Sequence, residues 1–109
     1  MRATIAAAVI AALTGQAAAQ SPAPAREREL VRLVRQDCGS CHGLLLKGGL
    51  GPSLLPQALR EKPADSLRAT ILFGRPGTAM PPWQGILSEA DADWILAHLL
   101  TGFPREGPR

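Results

Sequence analysis

The chain of 109 residues contains few of the residue types that fill or cross-link a small domain. It has two Cys, two Met, two Trp and two Phe, and it has no Tyr. Two cysteines exclude a scaffold of several disulfides, and so few aromatic residues offer little bulk for a core. A domain of this size is marginally stable unless a disulfide, a metal or a cofactor is added. We therefore predict one small domain that depends on such an addition.

The chain also lacks an apolar run that could span a bilayer. The run from Ala3 to Leu13 has eleven residues, whereas a spanning helix needs about 20. Arg2 before this run and the small residues 17–19 after it are typical of a secretory signal peptide. We predict a signal peptide over residues 1–19, a mature protein in the periplasm, and no stable membrane insertion after cleavage.

No basic patch is interleaved with aromatic residues anywhere in the sequence. The formal net charge is +3, and cleavage of the signal peptide would remove Arg2 and lower it by one. This charge balance gives no support for a nucleic-acid partner.

Residues 38–42 read Cys-Gly-Ser-Cys-His and use both cysteines of the chain. This spacing is typical of a site where two thiols bind the two vinyl groups of one haem and the adjacent histidine ligates its iron. A Cys38–Cys41 redox disulfide is an alternative, but it would normally accompany a βαβ pattern, which is absent. A zinc site is another, but after Cys38, Cys41 and His42 only His98 remains as a usual donor. The motif predicts one covalent haem c.

Helical periodicity and turn residues predict an all-α domain of three to four short helices around the haem. Ser88 and Asp91 form an approximate capping box before the last helix, and Gly102 ends it. The predicted elements are a tether over 20–25, a helix over 26–37, an irregular segment over 43–59, a helix over 63–73 and a last helix from Ser88 to Gly102. The domain itself is predicted over residues 26–104, with a C-terminal tail over 105–109.

The predicted first helix turns Arg28, Arg32 and Arg35 away from its apolar face. These arginines are either a docking surface for a partner or an ordinary solvated helix face. Lys47 and Arg75 are further candidates for contact with a partner.

Met80 is the candidate for the sixth position on the iron. The other methionine, Met1, would leave with the signal peptide, so Met80 would be the only methionine of the mature protein. A thioether is a good ligand for low-spin haem iron, and Pro81 and Pro82 stiffen the loop that carries it. Core packing is the alternative for Met80, and His98 is the competing ligand, although it is more simply a packed helix residue.

A ligating histidine needs an acceptor for its outer ring nitrogen. A carbonyl group of residues 49–52, which read Gly-Leu-Gly-Pro, is the candidate. The alternative is a solvent loop with turn glycines.

With these motifs in this order, the mature chain resembles the small class I cytochromes c. The resemblance implies helices wrapped around one haem that is held by Cys38 and Cys41. It further implies that His42 and Met80 are the axial ligands and that the Pro52 carbonyl faces the His42 imidazole. This family often anchors the haem propionates with tyrosines, which are absent here, so the candidates for that role are Trp83, Arg60 and Arg75.

Two stretches carry a closer resemblance. Residues 38–52, from the haem motif to Gly51-Pro52, and residues 74–83, which read Gly-Arg-Pro-Gly-Thr-Ala-Met-Pro-Pro-Trp, are similar to the NirC type of small periplasmic cytochrome. That type is encoded with cytochrome cd nitrite reductase in denitrifying bacteria. The resemblance implies a redox protein partner and service to that reductase, either as its electron donor or in the maturation of its special haem.

Three functions remain open from the sequence. The first is a one-electron carrier, which is not an enzyme because a six-coordinate iron has no site for a substrate. The second is an accessory protein in the maturation of the reductase haem. The third is a ligand-binding or peroxidatic haem protein, which requires Met80 to dissociate.

Overall fold

The computed structural model describes residues 21–108, and these contain helices and turns but no strand. The predicted signal peptide lies outside the described residues. The first helix, α1, spans Pro24–Leu33. A proline is favourable in a first turn because its missing N–H would have no partner there and its fixed φ suits a helix. The helix therefore begins two residues before the predicted start, and residues 24–25 of the predicted tether are helical.

The helical backbone continues beyond α1 into the haem motif. A π-helical segment spans Val34–Cys38, and α2 spans Gly39–His42, so residues 24–42 form one run. The sequence predicted an end at Asp37. Short π-helical segments within α-helices are frequent at functional sites, and this one ends at the first cysteine of the motif. The run stops at Gly43, whose φ of 89° is accessible mainly to glycine.

Two helices follow the loop after the haem motif. The short helix α3 spans Pro56–Leu59, in a segment that was predicted to be irregular. The next helix, α4, spans Ala64–Phe73 and begins after Pro63, which confirms the predicted second helix to within one residue.

The last helix, α5, spans Glu89–Thr101 and has the predicted capping box. The Ser88 hydroxyl accepts a hydrogen bond from the Asp91 backbone N–H at 3.0 Å, and the Asp91 carboxylate accepts one from the Ser88 N–H at 3.1 Å. These bonds satisfy two backbone donors that a helix start would otherwise leave unpaired.

Asp91 also joins α5 to α1. Its side chain is almost buried and accepts hydrogen bonds from Arg26 at 2.8 Å (Nη2) and 3.3 Å (Nε). Burial alone would raise the pKa of Asp91, but the bonds from Arg26 and the Ser88 N–H outweigh burial and hold the pKa below its usual value. Arg26 in addition donates to the Ile86 carbonyl at 3.0 Å, so one guanidinium connects α1 to the segment that precedes α5.

The core lies where α1 and the π-helical segment meet α3 and α5. Half-buried apolar residues pack against it from the loops, from α4 and from the C-terminal segment, which is the part of the chain after α5 (residues 102–108). The buried residues of this cluster are Leu30, Val34, Leu46, Leu59, Leu87, Ile95 and Leu99. Within residues 21–108, no helix combines the length and the apolar character that a membrane span requires.

Arg35 does not have the position that the sequence predicted for it. Its guanidinium donates hydrogen bonds to the Phe103 carbonyl at 2.8 Å and the Pro104 carbonyl at 3.0 Å, and it lies 5.6 Å from the centre of the Phe103 ring. The predicted solvated arginine therefore fastens the C-terminal segment to the first helical run. Arg28 and Arg32 are exposed, as predicted.

Candidate haem-binding site

Both cysteines of the haem motif lie at the end of the first helical run. Cys38 is the last residue of the π-helical segment, and Cys41 belongs to α2. Residues three apart on a helix are neighbours on its surface, so the two side chains leave the helix on the same side. Cys38 packs against the core, whereas Cys41 is exposed, and both are free thiols. One thiol of the pair therefore faces the protein core, and the other lies at the protein surface.

The environment of Cys38 bears on the alternatives to haem attachment. Burial, with a smaller contribution from the Asp37 carboxylate, raises the pKa of the Cys38 thiol to about 11. Redox-active cysteines occur where the pKa of the thiol is lowered. The raised pKa of Cys38 therefore does not favour a redox disulfide. Over residues 21–108, no three His, Cys, Asp or Glu side chains gather as a metal site.

His42, the last residue of α2, is oriented by the loop that follows it. Its Nδ1 atom lies 2.7 Å from the Pro52 carbonyl oxygen. A carbonyl oxygen only accepts, so Nδ1 carries the proton and donates, which leaves the lone pair of Nε2 free for a metal. A hydrogen bond of this kind fixes the ring orientation and raises the basicity of the ligating nitrogen.

Backbone hydrogen bonds hold that loop against α2. The Gly51 N–H donates to the Cys41 carbonyl at 2.7 Å, and the Gly48 N–H donates to the His42 carbonyl at 2.7 Å. These bonds use carbonyl groups at the helix end that would otherwise lack a partner. The loop that carries Pro52 is therefore fixed to the same residues that carry the haem motif.

Gly51 lies against the His42 ring, a contact that the sequence does not predict. A Cβ atom at position 51 would lie 2.8 Å from Cε1 and 2.9 Å from Nδ1 of His42. Real Cβ atoms essentially never approach that closely, so any larger residue at position 51 would force the His42 ring or the loop to shift. The Gly-Pro pair thus supplies both the space for the imidazole and its acceptor. In the sequence, the position of a glycine directly before Pro52 is the feature that indicates this contact.

Met80 lies on a separate loop, which is fixed to α4. The Trp83 N–H donates to the Ile71 carbonyl at 3.1 Å, and the Arg75 N–H donates to the Met80 carbonyl at 3.2 Å. Within the loop, the Thr78 hydroxyl accepts from the Met80 N–H at 3.3 Å and donates to the Arg75 carbonyl at 2.7 Å. Met80 itself is half-buried. Its backbone is thus restrained on both sides by hydrogen bonds.

His98, the competing ligand, is part of an aromatic cluster with Trp94 and Phe103. Its ring centre lies 4.1 Å from that of Trp94 and 6.4 Å from that of Phe103. Trp94 in turn donates from Nε1 to the Glu27 carboxylate of α1 at 3.1 Å. These contacts give His98 and Trp94 a role in joining α5, α1 and the C-terminal segment.

The three candidate propionate anchors differ in exposure. Arg60, directly after α3, and Arg75, in the Met80 loop, are exposed, whereas Trp83 is half-buried and packs against the core. Neither arginine has an ion pair with another described residue.

The residues present fit a covalently bound haem. Two thiols and an imidazole occur close together along the chain at one helix end. The imidazole has its proton on the nitrogen that faces Pro52, and Gly51, which has no Cβ, leaves space for the ring. This donor set matches histidine-ligated haem sites.

Comparison with known proteins identifies the family. Residues 25–99 match the family model described as cytochrome C oxidase, cbb3-type, subunit III. The chain is 58% identical over 83 residues to cytochrome c55X of Pseudomonas aeruginosa, which covers 76% of this chain and 70% of that protein. The solved structure of a c-type cytochrome NirC matches with a TM-score of 0.73 and 58% identity, over 74% of this chain and 95% of that one.

A further match is to part of a larger protein. The structure of dihydro-haem d1 dehydrogenase NirN in complex with DHE is 41% identical, with a TM-score of 0.61, over 72% of this chain but only 16% of that one. The all-α fold that the sequence predicted is thereby confirmed as a cytochrome c fold, and the motif at residues 38–42 implies one covalent haem c. The chain belongs to the class I c-type cytochromes, among the cytochrome c55X and NirC proteins, and is an electron-transport protein rather than an enzyme.

Proposed function

We propose that the chain is a periplasmic one-electron carrier whose single haem is ligated by His42 and Met80. The observation that carries this proposal is the 2.7 Å contact between His42 Nδ1 and the Pro52 carbonyl, which prepares Nε2 as a ligand. When bound, the haem supplies ferric–ferrous exchange of one electron. The periplasmic location rests on the signal peptide predicted over residues 1–19.

Each residue of the site has a distinct role in the proposal. Cys38 and Cys41 would hold the haem through thioether bonds, and His42 and Met80 would ligate its iron. A thioether ligand raises the reduction potential relative to a second histidine. The hydrogen bonds of the loops after His42 and around Met80 keep both ligands in place in either oxidation state, which limits the rearrangement that accompanies electron transfer.

We further propose cytochrome cd nitrite reductase as the partner. The test uses reduced holoprotein mixed with purified reductase and nitrite, followed by the absorbance of the carrier haem. We expect reoxidation that depends on both reductase and nitrite. Mixing with reductase alone is the control. Absence of reoxidation at carrier concentrations well above those in the cell would contradict this partner.

A second candidate function is a role in the maturation of the reductase haem. It is favoured by the match to dihydro-haem d1 dehydrogenase, in which a segment like this chain is joined to a haem-modifying enzyme. Dehydrogenation releases two electrons, and an electron-transport domain can accept them one at a time. Gene deletion separates the two functions. Loss of a carrier slows nitrite turnover by reductase that contains its special haem, whereas loss of a maturation factor leaves reductase without that haem.

The third function, binding of small ligands at the iron, predicts rapid binding of carbon monoxide by the native ferrous protein at neutral pH. Under the carrier proposal, the native protein binds it slowly or not at all, because Met80 occupies the sixth position.

A further inference from the structure

Gly74 lies against the backbone of the Met80 loop. A Cβ atom at position 74 would lie 2.6 Å from the Met80 carbonyl oxygen, 2.8 Å from the Pro81 carbonyl carbon and 2.9 Å from the Pro82 nitrogen. All three are backbone atoms, so no side-chain rotation could relieve these contacts. A side chain at position 74 would therefore require the loop itself to move.

The conformation of Gly74 is also restricted to glycine. It ends α4 with φ 69° and ψ −169°, a region of backbone space that other residues essentially do not occupy. From this turn the Arg75 N–H reaches back to the Met80 carbonyl at 3.2 Å. Gly74 thus allows the chain to turn at the end of α4 and also lies directly against the backbone of Met80.

We propose that Gly74 is a positioning residue for the sixth ligand, because it sets the height of the Met80 backbone above the end of α4. This inference rests on the proposed function of Met80 as an axial ligand. The two prolines after Met80 make the loop backbone stiff, so a displacement at the Met80 carbonyl moves the backbone position from which its side chain extends. Gly74, a residue without a side chain, would then help to decide whether the Met80 sulfur can reach the iron of a bound haem.

Gly77 offers a matched control within the same loop. Its φ is 81°, so an alanine there also adopts an unfavourable conformation, but a Cβ atom at position 77 would have no neighbour within 4 Å. Gly74→Ala adds strain and a clash with the Met80 loop, whereas Gly77→Ala adds strain alone. A larger effect of Gly74→Ala than of Gly77→Ala therefore reports the contact together with the more restricted conformation of Gly74.

The test compares the holoproteins of the parent, Gly74→Ala and Gly77→Ala. The readouts are the weak long-wavelength absorption band of a thioether–ferric iron bond and the affinity for imidazole. We expect Gly74→Ala to lose the band and to bind imidazole about tenfold more tightly or better, the size of effect that backbone strain of this kind can produce. Gly77→Ala should keep the band. Since imidazole binds only the form with Met80 dissociated, its affinity rises in proportion to that form.

Two further variants separate the possible failures. If Met80→Ala leaves the spectrum unchanged, the ligand assignment itself fails. If Met80→Ala opens the iron but Gly74→Ala retains the band and the parent affinity for imidazole, the positioning role of Gly74 is overturned. In the Gly74→Ala/Met80→Ala double variant, Gly74→Ala should no longer alter imidazole binding. A Gly74→Ala protein that loses its helical circular dichroism, while Gly77→Ala folds, would assign the contact to the fold and also overturn the proposal.

Discussion

Replacing Asp91 by alanine should destabilise the protein strongly, although Asp91 lies outside the haem motif. The substitution removes the acceptor for two hydrogen bonds from Arg26 and one from the Ser88 N–H. The loss of a capping interaction costs about 1 kcal/mol. The loss of one partner from a fully buried ion pair costs about 3–5 kcal/mol, but the Arg26 side chain is 33% exposed and can regain water. We therefore expect a total of about 2–3 kcal/mol.

The assay is thermal unfolding of the oxidised holoprotein at neutral pH, followed by circular dichroism. For a domain of this size, each kcal/mol lowers Tm by about 4–8 °C, so Asp91→Ala should lower Tm by roughly 10–20 °C. Asp93→Ala is the matched control, because Asp93 belongs to the same helix and pairs with Arg68 at the surface. An exposed pair contributes about 0–1 kcal/mol. If Asp91→Ala and Asp93→Ala lower Tm equally, the bonds of Asp91 to Arg26 and Ser88 do not have the predicted effect on stability.

Three further outcomes are expected. Arg35→Leu should lower the free energy of unfolding, measured in urea, by about 1–3 kcal/mol, because it leaves the Phe103 and Pro104 carbonyls without their donor. Arg28→Leu, at an exposed site, should have little effect. Similar losses in the two variants would contradict the role of Arg35 in holding residues 103–104. Gly51→Ala should displace the His42 ring and alter the spectrum of the ferric holoprotein, and an unchanged spectrum would show that the ring has room to spare. The lowered pKa of Asp91 stabilises the fold above about pH 4, the unfolded value, and this contribution is lost as pH falls through the folded value. In Asp91→Asn, the free energy of unfolding, measured in urea at several pH values, should therefore fall less steeply with pH below about pH 4. An unchanged dependence on pH would show that the Asp91 carboxylate does not contribute to it.

The features that the sequence predicted well depend on residues close together in the chain. The capping box at Ser88 and Asp91 spans three residues, and the ends of α4 are marked by Pro63 and Gly74. Local hydrogen bonding and backbone restrictions decide such features, so no knowledge of the tertiary fold is needed.

The features that the sequence did not predict depend on distant parts of the chain. Arg35 binds the carbonyl of Pro104, 69 positions away, and nothing near Arg35 distinguishes it from Arg28 or Arg32. The close contact of Gly74 with the Met80 loop likewise appears only once the loop has folded back on α4. Turn glycines are common in loops, so their contacts with ligand residues are visible only in three dimensions.

Ligation of the iron by Met80 can be measured directly by NMR of the mature ferrous holoprotein with methyl-labelled methionine. The chain has two methionines, of which Met1 would be removed with the signal peptide, so one labelled resonance is expected. If Met80 binds the iron, its methyl group lies over the porphyrin, and the ring current shifts the resonance far upfield. A methyl resonance at the ordinary position of an unligated methionine would show that Met80 does not bind the iron.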